Sequence, residues 1–297
     1  MGLFDRKPGF LKPGKGVERN ERKKNAFFRF FELLYRRFTK LFILNIIYAI
    51  CILPIICGVI VLLTGAFQLP DEVVRGSFLI SNVLHIVSNM PPALSLGLLI
   101  VDLIFFGPLT AGFTYMMRNY STERHAWLSD LFSRAMENFK QGFALGIIDA
   151  VVFMSVILYL AADISGLQGS GMYYLYFALK TAACLIAVFY VFMRYYTYTI
   201  AVTFELTMKD ILKNSAIFAV LGFVRNVIAS IAIASALFAF TSTWIIDAVL
   251  ILTFLFSLCG FIGMFTTYPI IQKYMLPEDA EVSEELQEDE IDISENI

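Results

Sequence analysis

Six ionisable residues stand within or at the ends of otherwise apolar runs: Asp102, Asp149, Lys180, Arg194, Glu205 and Arg225. A charge at the centre of a bilayer costs roughly 2.5–3.5 kcal/mol on insertion scales, so each such group has to face other protein, pair, or snorkel to the interface. Two kinds of chemistry fit these residue types. Opposite charges on neighbouring helices lock their registry, or the same groups line a path for an ion or polar solute. Asp102 lies about ten residues from the outer end of its run and Lys180 about seven from the outer end of its own, a depth that permits an Asp102–Lys180 pair. On the inner half, Asp149 can reach Arg194 or Arg225. Gly107, Pro108, Ala111 and Gly112 in IFFGPLTAGF add a proline that frees a carbonyl and small residues that let a backbone approach, which reads as close packing or a kink, or as a hinge or binding site.

Nothing else in the chain suggests catalysis. The four cysteines sit in apolar runs without disulfide or zinc spacing, and His85 and His125 have no ligand-type neighbours at metal spacing. No phosphate loop, dinucleotide fingerprint, HExxH or GxSxG occurs. The sequence therefore predicts no catalytic residue, no metal, no cofactor and no nucleic-acid partner.

The elements that carry these residues follow from composition. Of 297 residues, 58% are apolar and 16% charged, against about 45–50% and about 25% in soluble domains. Leu41 to Phe67 is uncharged over its whole length, and a bilayer core needs about 20 helical residues. Pro92 to Met117, Phe143 to Ala162, Tyr173 to about Arg194, Asn226 to Ile246 and Ala248 to about Tyr274 meet the same criterion. The predicted fold is an all-α, polytopic membrane bundle of about six spans. Its three parts are a basic arm and interfacial helix over 1–40, a transmembrane domain over 41–275, and an acidic disordered tail over 276–297.

Charge sets the orientation. Twelve of the 23 Lys and Arg precede residue 41, and Arg118, Arg124, Arg134, Lys140, Lys209, Lys213, Arg225 and Lys273 fall on the same side of the spans, whereas the opposite loops carry only Arg75. The positive-inside rule then places both termini in the cytoplasm. Phe27, Phe28, Phe31, Leu34, Tyr35 and Phe38 alternate at helical spacing with Arg29, Arg36, Arg37 and Lys40, so this helix should lie in the interface, the cations of residues 22–40 meeting anionic lipid headgroups.

Two short amphipathic helices are expected between spans on the basic side. One begins near Ser129 and runs into the third span; the other follows Thr207, where Thr207 and Asp210 fit a capping box. Trp127, Phe132, Arg134, Phe139, Lys140 and Lys213 are their candidate docking residues. Lys140, Gln141 and Gly146 echo Lys213, Asn214 and Gly222, a hint of a duplicated helix pair. The apolar loop 68–91 should lie on the outer surface.

Phe31, Glu32, Phe38, Leu41, Asn45 and Pro54, then Gly107, Pro108, Thr110, Ala111, Gly112, Arg118, Asp130, Phe132, Asn138, Phe139 and Lys140, then Lys213, Asn214, Tyr268, Pro269 and Lys273, resemble the YesL-like family of bacterial integral membrane proteins, a domain of unknown function. The resemblance covers residues 1 to about 275 and leaves out the tail. It implies a non-enzymatic protein of the Gram-positive cell membrane, encoded near carbohydrate importers. Its partner would be the permease or ATPase subunit of a sugar ABC importer. A stand-alone transporter or channel with a polar path near Asp102 and Lys180 is the alternative.

Overall fold

The computed structural model describes residues 25–68, 78–168, 170–240 and 251–276; Asp and Glu of the expected acidic tail lie outside this range. Among the described residues every regular element is helical and no strand occurs. Helix α1 (Ala26–Arg36) is capped by Asn25, whose Oδ1 accepts the Phe27 amide at 3.3 Å. It buries Leu33 and lays Phe30 against Phe261 and Phe265, leaving Phe27, Phe28, Phe31 and Tyr35 exposed, as an interfacial helix requires.

The first apolar run is not one straight span. It forms α2 (Phe38–Cys51) and α3 (Leu53–Ala66), separated at Ile52 by a bend of 67°. Pro54 supplies the reason: it has no N–H to give, and its ring crowds the carbonyl four residues back. Between the first two apolar runs, α4 (Phe78–Asn89) packs on α3.

Then come α5 (Pro92–Ser121), α6 (Leu128–Glu137), α7 (Phe139–Ala161), a single 3₁₀ turn at Ser165–Leu167, α8 (Gly171–Thr203), α9 (Met208–Leu221) and α10 (Phe223–Phe240). A π turn, Ile251–Leu255, leads into α11 (Phe256–Met275). Three α-helices and the π turn with α11 are each long and apolar enough to cross a bilayer; the bent pairs α2–α3 and α9–α10 raise the number to six. The chain is thus a multi-pass membrane helix bundle.

Helix α5 is the hub, packing on α6, α7, α8 and α11. The tight core gathers at the end that carries the basic loops, with Leu41, Leu44, Met116, Tyr120, Tyr196, Ile211 and Phe261 fully or nearly fully buried. Toward the other end, α8 exposes Leu175, Phe177, Leu185, Ile186 and Phe189. In hydrocarbon that exposure carries no penalty, because lipid tails are as apolar as the side chains.

The duplicated unit appears in the architecture. In α5–α6–α7 and again in α8–α9–α10, a long helix turns into a short one that packs back on it, with an Asp at its third position (Asp130, Asp210), and one residue (Asn138, Gly222) separates it from the next helix. The side-chain echo is out of register, however: Lys140 follows its break, while Lys213 precedes its own. Helix α6 also does not run continuously into α7 as expected, since Asn138 interrupts it.

Candidate functional site

Asp102 is 5% exposed, and its Oδ2 accepts the Ile55 amide at 2.8 Å. Ile55 is the third residue of α3, where helix geometry leaves amides without an intrahelical acceptor. A carboxylate there satisfies the donor and sits at the positive end of the helix dipole. The aspartate inside the bilayer thus caps a helix that starts inside the bilayer.

Lys180 does the converse. Its Nζ donates to the carbonyl of Leu160 at 3.0 Å and to that of Ala162, the last carbonyls of α7, where a cation is favoured. The expected Asp102–Lys180 pair is therefore not formed; each charge answers a helix end on its own side of the bundle. In the following loop, hydrogen bonds from the Ser165 amide and hydroxyl hold the Asp163 carboxyl below its ordinary pKa.

Of the two partners open to Asp149, the structure selects Arg194, whose Nε donates to Oδ2 at 2.9 Å. Tyr198 donates to the same oxygen at 2.8 Å and Tyr190 to Oδ1 at 2.7 Å. Tyr190, Arg194 and Tyr198 recur every four residues on α8, so one helix face presents three donors to one carboxylate. The side chain of Asp149 is 4% exposed and that of Arg194 33%; the anion is enclosed while its partner's side chain is only half-buried. Arg225 lies elsewhere, with Nη1 3.4 Å from the Thr266 carbonyl.

Helix α5 runs unbroken through Gly107 and Pro108, so these residues form neither a break nor a hinge. They make a backbone-to-backbone crossing. A Cβ on Gly142 would lie 2.7 Å from Pro108 Cα, one on Gly146 2.9 Å from Gly107 Cα, and one on Gly107 would overlap the Gly142 carbonyl. Gly112 likewise lets α6 lie on α5, where its Cβ would overlap the Leu131 carbonyl.

Two buried asparagines complete the set. Asn45 Nδ2 donates to the carbonyls of Ile251 (3.1 Å) and Leu252 (2.8 Å), and its Oδ1 accepts the Ser257 amide at 2.7 Å. One side chain thus satisfies groups that the π turn removes from the α-helical ladder. Asn226 accepts from Tyr196 at 2.6 Å and donates to the Ala219 carbonyl at 3.0 Å, next to the α9–α10 break. Sequence reasoning gave neither a structural role. The available signal was an amide side chain inside an apolar run, which hydrocarbon tolerates only when it is hydrogen-bonded.

The docking candidates divide. Trp127, Phe132 and Met136 are 73%, 47% and 62% exposed on or beside α6, whose start is fixed by the Asp130 carboxylate accepting the Trp127 amide at 2.8 Å. Lys140 and Lys213 are exposed. Arg134 pairs with Glu137 at 2.6 Å and lies over the Tyr115 ring. Phe139 is half-buried, edge-on to Phe105 and stacked on Phe143. Phe132, Ala135 and Met136 form one wall of a groove of about 370 Å³ whose other wall includes Val101, Asp102, Phe105 and Pro108. Lys180 is not among its lining residues.

The interfacial helix is also tied to the end of α5 through Glu123. Arg29 and Arg36 pair with the Glu123 carboxylate at 3.4 and 3.1 Å, and Arg37 donates to the Glu123 carbonyl at 3.0 Å. Glu123 adopts φ 68°, ending α5 in the left-handed region. Comparison with protein-family models, curated proteins and solved structures finds no match.

Proposed function

We propose that this protein is a non-enzymatic accessory subunit of the bacterial cell membrane, with both termini in the cytoplasm, which docks through α6 and α9 on the permease or ATPase of a carbohydrate importer. One observation supports a docking role most directly. On α6, Leu131 and Ala135 are buried, while Phe132 and Met136 form a second apolar face beside an open groove, with Trp127 exposed just ahead of the helix. An amphipathic helix with one face already packed and another left apolar suits a second protein surface. The sugar importer as partner rests on the resemblance to the YesL-like family.

The intramembrane charges favour this reading over a polar path. Asp102 and Lys180 cap different helices, and Asp149 is enclosed by three donors. Each is spent on holding helices in place, and Lys180 does not line the groove that Asp102 borders.

The test is purification of the tagged chain from native membranes with a photo-crosslinking residue at Phe132 or Met136. Crosslinks to an importer subunit, lost when the probe is moved to the packed Leu131 position, are the expected result. Recovery of the chain without any importer subunit would sink the assignment.

A further inference from the structure

Arg225 of α10 and Lys273 of α11 line one groove. It has a volume of about 320 Å³ and lies where the α9–α10 break meets the last turns of α11; Leu221, Val224, Ile270 and Tyr274 also line it. The bend between α9 and α10 is 86°, so the groove sits at a sharp turn between two helices. Gly222 makes the break possible at this point, since a Cβ there would overlap the Tyr196 hydroxyl.

Charge in the groove is of one sign. Neither Arg225 nor Lys273 has a carboxylate within ion-pair distance among the described residues, and no acidic side chain lines the groove. Arg225 makes one long contact to the Thr266 carbonyl, and Lys273 lies over the Tyr274 ring, 5.4 Å from its centre. Both side chains are exposed. The polar end opens onto an apolar track, because Val224, Ile228 and Ile231 follow one another along α10 at helical spacing and are 69%, 55% and 62% exposed.

From this arrangement we propose that the groove is a binding site for an anionic phospholipid. Its phosphate would be held by Arg225 and Lys273, and an acyl chain would follow Val224, Ile228 and Ile231. Two cations on separate helices at the membrane boundary match a phosphate. The absence of a carboxylate from the lining disfavours choline or ethanolamine headgroups, whose ammonium would have no partner. The continuous apolar track selects a lipid over a free phosphate. The site lies in the leaflet on the side of α6 and α9.

Native mass spectrometry of the full-length protein in detergent tests the assignment, with phosphatidylglycerol and phosphatidylcholine of the same chain length as probes. Phosphatidylglycerol should bind preferentially, and R225Q/K273Q should weaken it about 25-fold, roughly fivefold for each cation removed. R225K/K273R should restore binding. Because the Lys273 side chain makes no hydrogen bond or ion pair among the described residues, K273Q alone serves as the variant least able to disturb folding, and about a fivefold loss is expected from it. Equal retention of the two lipids, or unchanged phosphatidylglycerol binding in both K273Q and R225Q, overturns the proposal. So does displacement of the lipid by inorganic phosphate at equal concentration, which would make the site one for a soluble anion. A preference seen only after deletion of residues 278–297 would instead assign the groove to the chain's own acidic tail.

Discussion

Asp102 and Ile55 meet across the break in the first apolar run, carboxylate oxygen to backbone amide at 2.8 Å. A kink and a buried charge, each unfavourable alone in hydrocarbon, thereby become mutually necessary. The break needs an acceptor where Pro54 has ended the ladder, and the carboxylate needs a donor where water is absent.

Removing the acceptor should therefore cost more than removing the charge. D102A leaves the Ile55 amide unsatisfied and should lower stability by about 1–3 kcal/mol, whereas D102N keeps a carbonyl oxygen in place and should lose less than half as much. Thermal unfolding in detergent, followed by circular dichroism, ranks the two. If D102A melts with the wild-type protein, the cap has no energetic weight.

The Asp149–Arg194 pair makes a different prediction, because both partners are charged. Either D149A or R194A strands its partner and should cost about 3–5 kcal/mol, while D149L/R194M removes both charges and should be less destabilised than the sum of the singles. Tyr190 and Tyr198 lose their acceptor in D149A and in the double variant but keep it in R194A, so the recovery should be partial. Strict additivity would mean that the ion pair is not coupled.

Glycine substitutions separate packing from propensity. G107A must push α7 away from α5, and overpacking of this kind costs about 1–3 kcal/mol or more. Gly65, Gly97 and Gly171 have open space around them, so G97A should be neutral or slightly stabilising through helix propensity. A melting temperature that falls equally in G107A and G97A would contradict a specific backbone crossing.

The spans, the interfacial helix and the Thr207 cap were legible because each is encoded locally: by run length, by aromatics at helical spacing, and by a hydroxyl three residues before an aspartate. The Thr207 hydroxyl does accept the Asp210 amide, at 3.3 Å. The identity of the partners was not legible. Depth along a span aligns Asp102 with Lys180, but pairing also depends on which helix faces which. Both residues found a nearer helix end, one of which exists only because α2 and α3 bend apart. Likewise the cations of α1, which the sequence offers to lipid, include three that Glu123 engages after its left-handed turn, a contact spanning more than 80 residues. Phe139 is offered by the sequence for docking, and only the fold shows its ring meeting Phe105 and Phe143.

Asn45 is the most exacting of these long-range ties, since its amide donates twice and accepts once, and all three bonds reach residues more than 200 positions away. The two ends of its side chain are not interchangeable: the nitrogen meets carbonyls and the oxygen meets an amide. N45D keeps the size and the acceptor but turns oxygen toward the carbonyls of Ile251 and Leu252, so it should be at least as damaging as N45L, which leaves those groups merely unsatisfied. Both should lose about 2 kcal/mol or more. The loss should localise to the junction of the π turn with α11, visible as faster amide hydrogen exchange at Ser257 than at Ile271. N45D behaving like the wild-type protein would show that the π turn holds its shape without this side chain.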